Sequence, residues 1–342
     1  MNVGIEQIDW DVLLEVKDLR VSFKTDEGVI LAVNGVSFSV KPGQTLGIVG
    51  ESGSGKSVST KAIMQLLPKT AIIGGTSSIE WRRKNGDIIE ITQLKSTGRE
   101  MRRIRGGEIG MIFQEPMSSF SPVHTIGSQI EEVVQAHSQA SKQQAREIAI
   151  DMLDKVGISN PSVRVDQYPF ELSGGMRQRA MIAVALAVNP SLLIADEPTT
   201  SLDVTIQAQI LELMNQLQEE FKMAIIFITH NLGVIAQVAD EVVVMYLGEI
   251  MERGTAKEIV RQPQHPYTQS LLKAIPHLDH LGGRLTAIGG DIPSPLERPE
   301  GCPFHTRCEH VIPGICDTRM PALTRIGSTH TVYCFLFEER DA

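Results

Sequence analysis

The spacing of apolar positions changes along the chain and divides it into blocks. From Leu13 to Phe23 apolar and polar residues alternate, which predicts a strand with one buried face. Thr25-Asp26-Glu27-Gly28 reads as a turn. Val29 to Val40 reads as further strands around Asn34-Gly35, a two-residue hairpin signal, and Lys41-Pro42-Gly43 is another turn. Together these predict a small antiparallel sheet. Gln44 to Val49 and Ile109 to Phe113 read as short buried strands, and the apolar runs Leu192 to Asp196 and Ala224 to Ile228 follow a different rule. Strands of a parallel sheet, covered on both faces, read this way. Helical spacing marks Val58 to Leu67, which Pro68 ends, and the amphipathic stretch Ile206 to Phe221. It also marks Ser121 to Gly157, through Ile126, Ile130, Val133 and Val134 and then Ala145, Ile148, Met152, Leu153 and Val156. Strand–helix–strand alternation predicts an α/β core.

Between Gly74 and Gly107 the chain is polar and turn-rich, with a short strand at Ile88 to Ile91; basic Lys95 to Arg105 reads as a solvated helix or loop. After Thr255 the character shifts. Pro263, Pro266, Pro276, Pro293, Pro295 and Pro299 interrupt the pattern, with Gly282-Gly283 and Gly289-Gly290. This places a boundary near Thr255 to Gln262: a domain over 1–258, with a helical subdomain over about 115–190, and a Pro-rich extension over 259–342.

Length and charge narrow the class. The 342 residues suit one large domain with an appendage, or two domains. The net charge of −9, with no dominant Lys/Arg block, argues against nucleic acid as the main partner. No apolar run approaches the ~20 residues of a membrane span. The longest, Ala180 to Val188, stops at Asn189-Pro190. Met1 to Trp10 carries acidic residues and no secretory pattern, so the chain is expected to be cytosolic in itself, leaving attachment to a membrane protein open.

The chemistry concentrates in a few loops. Gly50-Glu51-Ser52-Gly53-Ser54-Gly55-Lys56-Ser57 fits the phosphate-binding G-x-x-x-x-G-K-S pattern, between a predicted strand and a predicted helix. Its glycines let successive N–H groups face one centre, and the helix N-terminus adds positive potential. Lys56 can reach the outer phosphates and the Ser57 hydroxyl can sit on Mg²⁺. Asp196 and Glu197 end a buried strand; the first suits Mg²⁺ and the second suits polarising a water. Leu172-Ser173-Gly174-Gly175-Met176 opens a helix, either as an ordinary N-cap or as a second anion-binding turn.

With these motifs in order, the chain resembles an ATP-binding subunit of an ATP-binding cassette (ABC) transporter over about its first three-quarters. The family's LSGGQ signature stands here as Leu172 to Met176, ending in Met. The resemblance implies a P-loop ATPase fold with a small antiparallel β subdomain, a helical signature subdomain and an irregular C-terminal domain. It implies that Phe23 stacks on adenine, that Gln114 senses Mg²⁺ and the attacking water, and that His230 contacts the γ-phosphate. Ser57, Gln114 and Asp196 are then the Mg²⁺ site. Ser201-Leu202-Asp203 becomes a loop at a dimer interface, with each signature segment completing the other subunit's ATP site.

The extension sharpens the resemblance. Gln264-His265-Pro266-Tyr267-Thr268, Leu271-Leu272, Gly289 to Pro299, Gly301-Cys302-Pro303-Phe304 and Arg307-Cys308 resemble the tail of oligopeptide and dipeptide import ATPases, a tail shared with importers of nickel complexes or oligosaccharides. The implied partners are two transmembrane permease subunits, with Phe113 to Val123 at the docking site, a second and distinct ATP-binding subunit, and an extracytoplasmic solute-binding protein. The implied location is the cytoplasmic face of the inner membrane. A soluble ABC ATPase acting on ribosomes or nucleic acid is the alternative; such proteins carry two cassettes or a long coiled-coil insertion, and this chain has neither. An iron–sulfur regulator that merely binds nucleotide is a further alternative.

All four cysteines, Cys302, Cys308, Cys316 and Cys334, lie in the extension. Disulfides do not suit a reducing cytosol. Four thiolates suit Zn²⁺ or a [4Fe–4S] cluster, and free thiols are the third reading. The usual zinc spacing of paired cysteines is missing, and the subfamily resemblance favours the cluster, in a structural role. His305, His310 and His330 read as surface or turn histidines.

Overall fold

The computed structural model describes residues 12–114, 119–200, 202–275 and 288–338. Among the described residues thirteen strands follow in chain order: β1 (Leu14–Thr25), β2 (Gly28–Val40), β3 (Thr45–Val49), β4 (Ala71–Ile73), β5 (Ser78–Arg82), β6 (Ile88–Glu90), β7 (Ile109–Ile112), β8 (Leu192–Asp196), β9 (Ala224–Thr229), β10 (Glu241–Tyr246), β11 (Glu249–Thr255), β12 (Leu323–Arg325) and β13 (Thr331–Tyr333). They form two sheets. The larger has the order β12-β13-β11-β10-β3-β9-β8-β7, parallel from β10 to β7. The smaller is antiparallel, β2-β1-β5-β6 with β4 also on β1.

The parallel strands are apolar throughout because each feeds two cores. Along β9, Ile225 and Phe227 enter the core beneath the long helices, while Ala224, Ile226 and Ile228 enter the core shared with the antiparallel sheet. β8 divides likewise, Leu193 and Ala195 against Leu192 and Ile194. Successive side chains of a strand point to opposite faces, so both faces must be apolar when both are covered. The helices Ile126–His137 and Lys142–Lys155 supply the first core. Ser141 caps the second of them in a capping box with Gln144. The predicted helix over 58–67 starts earlier and stops sooner, at Lys56–Ile63. The basic stretch becomes the short helix Arg99–Ile104, with Met101 and Ile104 buried.

The hairpin signal at Asn34-Gly35 is overturned: β2 runs on through it, and β1 and β2 are joined at the predicted turn Thr25 to Gly28. Register shifts in the β1–β2 pairing absorb the left-handed Gly35 (φ 74°), and the Asn34 side chain is held by Arg20 and Glu249. Such irregularities bend a pair of strands without ending it.

The extension joins the cassette's own sheet. β13 pairs with β11 through Glu252↔Val332 and Arg253↔Thr331. Helix Pro266–Lys273 lays Tyr267 against Tyr246 and Phe304, with ring centroids 4.8–5.3 Å apart in tilted and edge-on pairs. Glu252, fully buried, accepts from the Gln264 and His265 N–H groups at 2.7 and 3.0 Å. It also meets His330 Nε2 at 2.7 Å. His330 is therefore not a surface residue: only 4% is exposed, because β13 carries it onto the Glu252 carboxylate. Breaking a buried pair leaves an uncompensated partner. Glu252→Ala is expected to destabilise the chain by about 3–5 kcal/mol, and Glu252→Gln by less. Denaturant unfolding checks this; a loss under about 1 kcal/mol for the alanine variant would mean the extension is held elsewhere.

Candidate nucleotide site

The P-loop, Gln114, Asp196-Glu197 and His230 lie at the carboxyl ends of neighbouring parallel strands, where open α/β sheets bind ligands. The P-loop follows β3. Backbone crowding explains its glycines: a Cβ on Gly50 (φ 155°) would lie 2.1 Å from the Met245 carbonyl oxygen, and one on Gly55 (φ 94°) 2.6 Å from that of Ala32. Ser52 and Gly53 face solvent, while Ser54, Gly55 and Lys56 are buried. The Lys56 ammonium donates to the Gly50 and Glu51 carbonyls at 2.8 and 2.9 Å. Burial pushes its pKa down, against the charges of Glu197, Asp196 and Glu51.

Ser57 and Asp196 meet directly, the hydroxyl donating to Oδ1 at 2.8 Å. Burial raises the Asp196 pKa; the Ser57 hydrogen bond and Lys61 work against it. Glu197 sits at φ 48°, a left-handed conformation that costs a non-glycine residue energy, and its N–H donates to the Ile228 carbonyl. Three side chains converge on its carboxylate: the Gln114 amide at 3.4 Å, His230 Nδ1 at 3.4 Å and the Thr200 hydroxyl at 2.8 Å. Thr200 was not singled out from sequence, although it lies three residues after Glu197. Gln114 and His230 are exposed, and Phe23 is half-buried against the smaller sheet's core.

Leu172 to Met176 lies apart from this cluster in its bonding. Leu172 is buried, Ser173 caps helix Gly174–Leu186 by accepting from the Met176 N–H, and Gly174 opens onto free space. Both readings of this turn describe one geometry: the cap uses Ser173's side chain and leaves the early N–H groups of the helix exposed. A Cβ on Gly175 would lie 3.3 Å from Ile206, in the first turn of helix Val204–Phe221, which Asp203 caps. Leu202 is half-buried; Ser201 lies outside the described residues.

Residues 33–200 match the family model described as ABC transporter, and residues 251–316 that of the oligopeptide/dipeptide transporter, C-terminal region. The dipeptide transport ATP-binding protein DppD of Bacillus subtilis is 48% identical, over 96% of this chain and 96% of its own. The oligopeptide transport ATP-binding protein OppD of Salmonella typhimurium is 49% identical, over 91% and 90%. The chain belongs to the oligopeptide/dipeptide type of ABC transporter ATP-binding proteins. Among solved structures, the dimeric bacterial ABC transporter cassette MJ0796 is similar at a TM-score of 0.61 and 27% identity, over 71% of this chain and 98% of that one. Among the described residues, no helix is long and apolar enough to cross a membrane.

The cassette's extension gathers its four cysteines around one enclosed cavity, lined by Cys302, Cys308, Cys316 and Cys334 with His265 and His305. The cavity holds about 20 Å³, little more than one water molecule. No disulfide joins any of the four. Burial pushes the Cys302 thiol up to about 12 and Cys334 up to about 11, and the neighbouring thiols push in the same direction. Thiolates crowded here need a cation to ionise. A single tetrahedral Zn²⁺ would need sulfurs about 3.8 Å apart. Among the described residues no three His, Cys, Asp or Glu side chains approach closely enough to share one ion.

The raised Asp196 pKa has a consequence for stability. The folded chain binds this proton more tightly than the unfolded chain, so ionised Asp196 destabilises the fold above its folded pKa, and the penalty fades as pH falls towards the unfolded value. Asp196→Asn is expected to raise the Tm of the nucleotide-free cassette at pH 7 and to lose that advantage in acid. Thermal scans at pH 7 and pH 4 check it; a lower Tm at pH 7 would contradict the burial argument.

Proposed function

We propose that the chain is the ATP-hydrolysing subunit of an ABC importer for di- or oligopeptides. The observation that carries it is the meeting of Ser57 with Asp196, and of Gln114, His230 and Glu197, at one sheet edge beside the P-loop. In this reading the N–H groups of Gly53, Ser54, Gly55, Lys56 and Ser57 and the Lys56 ammonium hold the phosphates, swinging Lys56 away from Gly50 and Glu51. Mg²⁺ is held by Ser57 and Asp196, with Gln114. Phe23 carries the adenine. Glu197 orients and polarises the water that attacks the γ-phosphorus; the bond to the bridging oxygen breaks, leaving ADP and phosphate. His230 contacts the γ-phosphate, and Thr200 and Gln114 hold the Glu197 carboxylate.

The exposed turn at Ser173-Gly174-Gly175 supports a site completed in trans. Its free N–H groups and open Gly174 suit the γ-phosphate of a facing subunit, and Asp203 caps the helix whose Ile206 lies beside Gly175. The solved relative MJ0796 is a dimer. ATP closes the pair and hydrolysis opens it. The reading puts the permease pair against Phe113 to Val123, where Phe113 and Val123 are exposed; Glu115, Pro116, Met117 and Ser118 between them lie outside the described residues. The peptide substrate rests on the relatives' names, and an external binding protein would deliver it.

Cys302, Cys308, Cys316 and Cys334 would hold a [4Fe–4S] cluster. When bound it supplies folding energy to a small extension, and the chain's own part is to bury it between helix Pro266–Lys273 and the strand β13.

Two measurements test these readings. Glu197→Gln is expected to keep ATP binding while lowering hydrolysis by at least about 100-fold; unchanged turnover would remove Glu197 from the mechanism. Anaerobically purified protein is expected to carry about four irons and four sulfides per chain. Stoichiometric zinc, or neither metal, would replace the cluster reading.

A further inference from the structure

The extension grips the P-loop at one residue, Glu51. The Arg307 guanidinium, 3% exposed, spans both Glu51 carboxylate oxygens, Nη1 to Oε2 at 2.7 Å and Nη2 to Oε1 at 3.1 Å. The Glu51 N–H donates to the Tyr267 hydroxyl at 2.8 Å. Arg307 itself is fixed: Nη1 donates to the Tyr246 hydroxyl at 3.2 Å and Nε to the Gly289 carbonyl at 3.0 Å. The remaining Glu51 group, its carbonyl, is taken by Lys56. Every polar group of Glu51 is thus held, two from the extension and one from within the loop.

The gripping segment is also a wall of the cysteine cavity. Cys308 follows Arg307 directly, and Phe304, packed on Tyr246 and Tyr267, follows Cys302 by two. The Cys302 N–H donates to the Cys316 carbonyl, closing the segment on itself. One short stretch therefore faces the thiols on one side and the P-loop on the other. A two-pronged guanidinium–carboxylate bond is directional as well as strong. A P-loop fixed before nucleotide arrives loses less freedom on binding.

We propose that Arg307, with Tyr267, is a positioning residue of the P-loop, and that the cysteine-lined segment sets the cassette's ATP affinity through it. This rests on the reading of Gly50 to Ser57 as the ATP site. The extension is then a regulator of the nucleotide site in its own subunit. Any change that loosens the cysteine-lined segment releases Arg307 and weakens ATP binding without touching a phosphate ligand.

Titration of the full-length chain with a fluorescent ATP analogue and Mg²⁺, with thermal unfolding alongside, tests it. Arg307→Gln is expected to raise the Kd about tenfold. Arg307→Lys should raise it less, about threefold, since lysine keeps the charge but cannot span both oxygens. The double variant Glu51→Gln with Arg307→Gln should bind no more weakly than the worse single variant, because both remove one contact. Cys302→Ser with Cys316→Ser should weaken binding in the otherwise native chain and add nothing in the Arg307→Gln background. A folded Arg307→Gln chain with native ATP affinity would overturn the proposal, as would a cysteine effect undiminished in that background. If Arg307→Gln fails to fold, Glu51→Gln with Arg307→Met removes both charges and carries the same comparison: raised Kd supports the clamp and native Kd overturns it. A native chain that binds no ATP would overturn the site reading itself, which separates the two failures.

Discussion

The nucleotide site depends on the burial of the parallel strands on both faces. A strand covered on both sides by packed side chains cannot slip by one residue without exchanging its two faces between two different cores. β3, β7, β8 and β9 therefore deliver their last residues at fixed heights along one edge. Val49 leads into the P-loop, Ile112 lies two residues before Gln114, β8 ends in Asp196, and β9 ends beside His230. The lateral order β3-β9-β8-β7 places His230 and Glu197 between the P-loop and Gln114. Side chains from four separate stretches can then share one carboxylate.

That same burial sets up the electrostatics. Lys56 and Asp196 are both pushed towards their neutral forms by desolvation. Carboxylates and the ammonium partly compensate one another, yet Lys56 has only carbonyls and the Ser54 hydroxyl to bond. At the left-handed Glu197, a backbone conformation held by the Ile228 hydrogen bond aims its carboxylate at Gln114, His230 and Thr200.

The extension is tied to the cassette by three different kinds of bond. β13 extends the sheet through β11, Tyr246, Tyr267 and Phe304 form an aromatic cluster, and Glu252 gathers two backbone N–H groups and His330 in a dry interior. Arg307 adds a fourth tie, which ends on the P-loop itself. An appendage fastened at so many points shares its rigidity with the catalytic edge.

Local patterns in the sequence were enough for the parallel strands, the P-loop, the acid pair at Asp196-Glu197 and the capped helix after Ser173, because each is written in a few consecutive residues. They misread Asn34-Gly35, where a bulge and the Arg20 and Glu249 contacts hold β2 straight, since turn chemistry can serve a bulge as well as a hairpin. They misread His330, whose burial depends on β13 reaching β11. Family likeness supplied roles for Gln114 and His230 that no local pattern contains. The Arg307–Glu51 bond joins residues 256 positions apart, and nothing beside either one in the sequence foretells it. Sequence by itself determined which groups could meet phosphate and metal. Only the tertiary structure decided which of them meet one another, because pairing a charge across that distance requires the sheet, the aromatic cluster and the cysteine segment all to be in place.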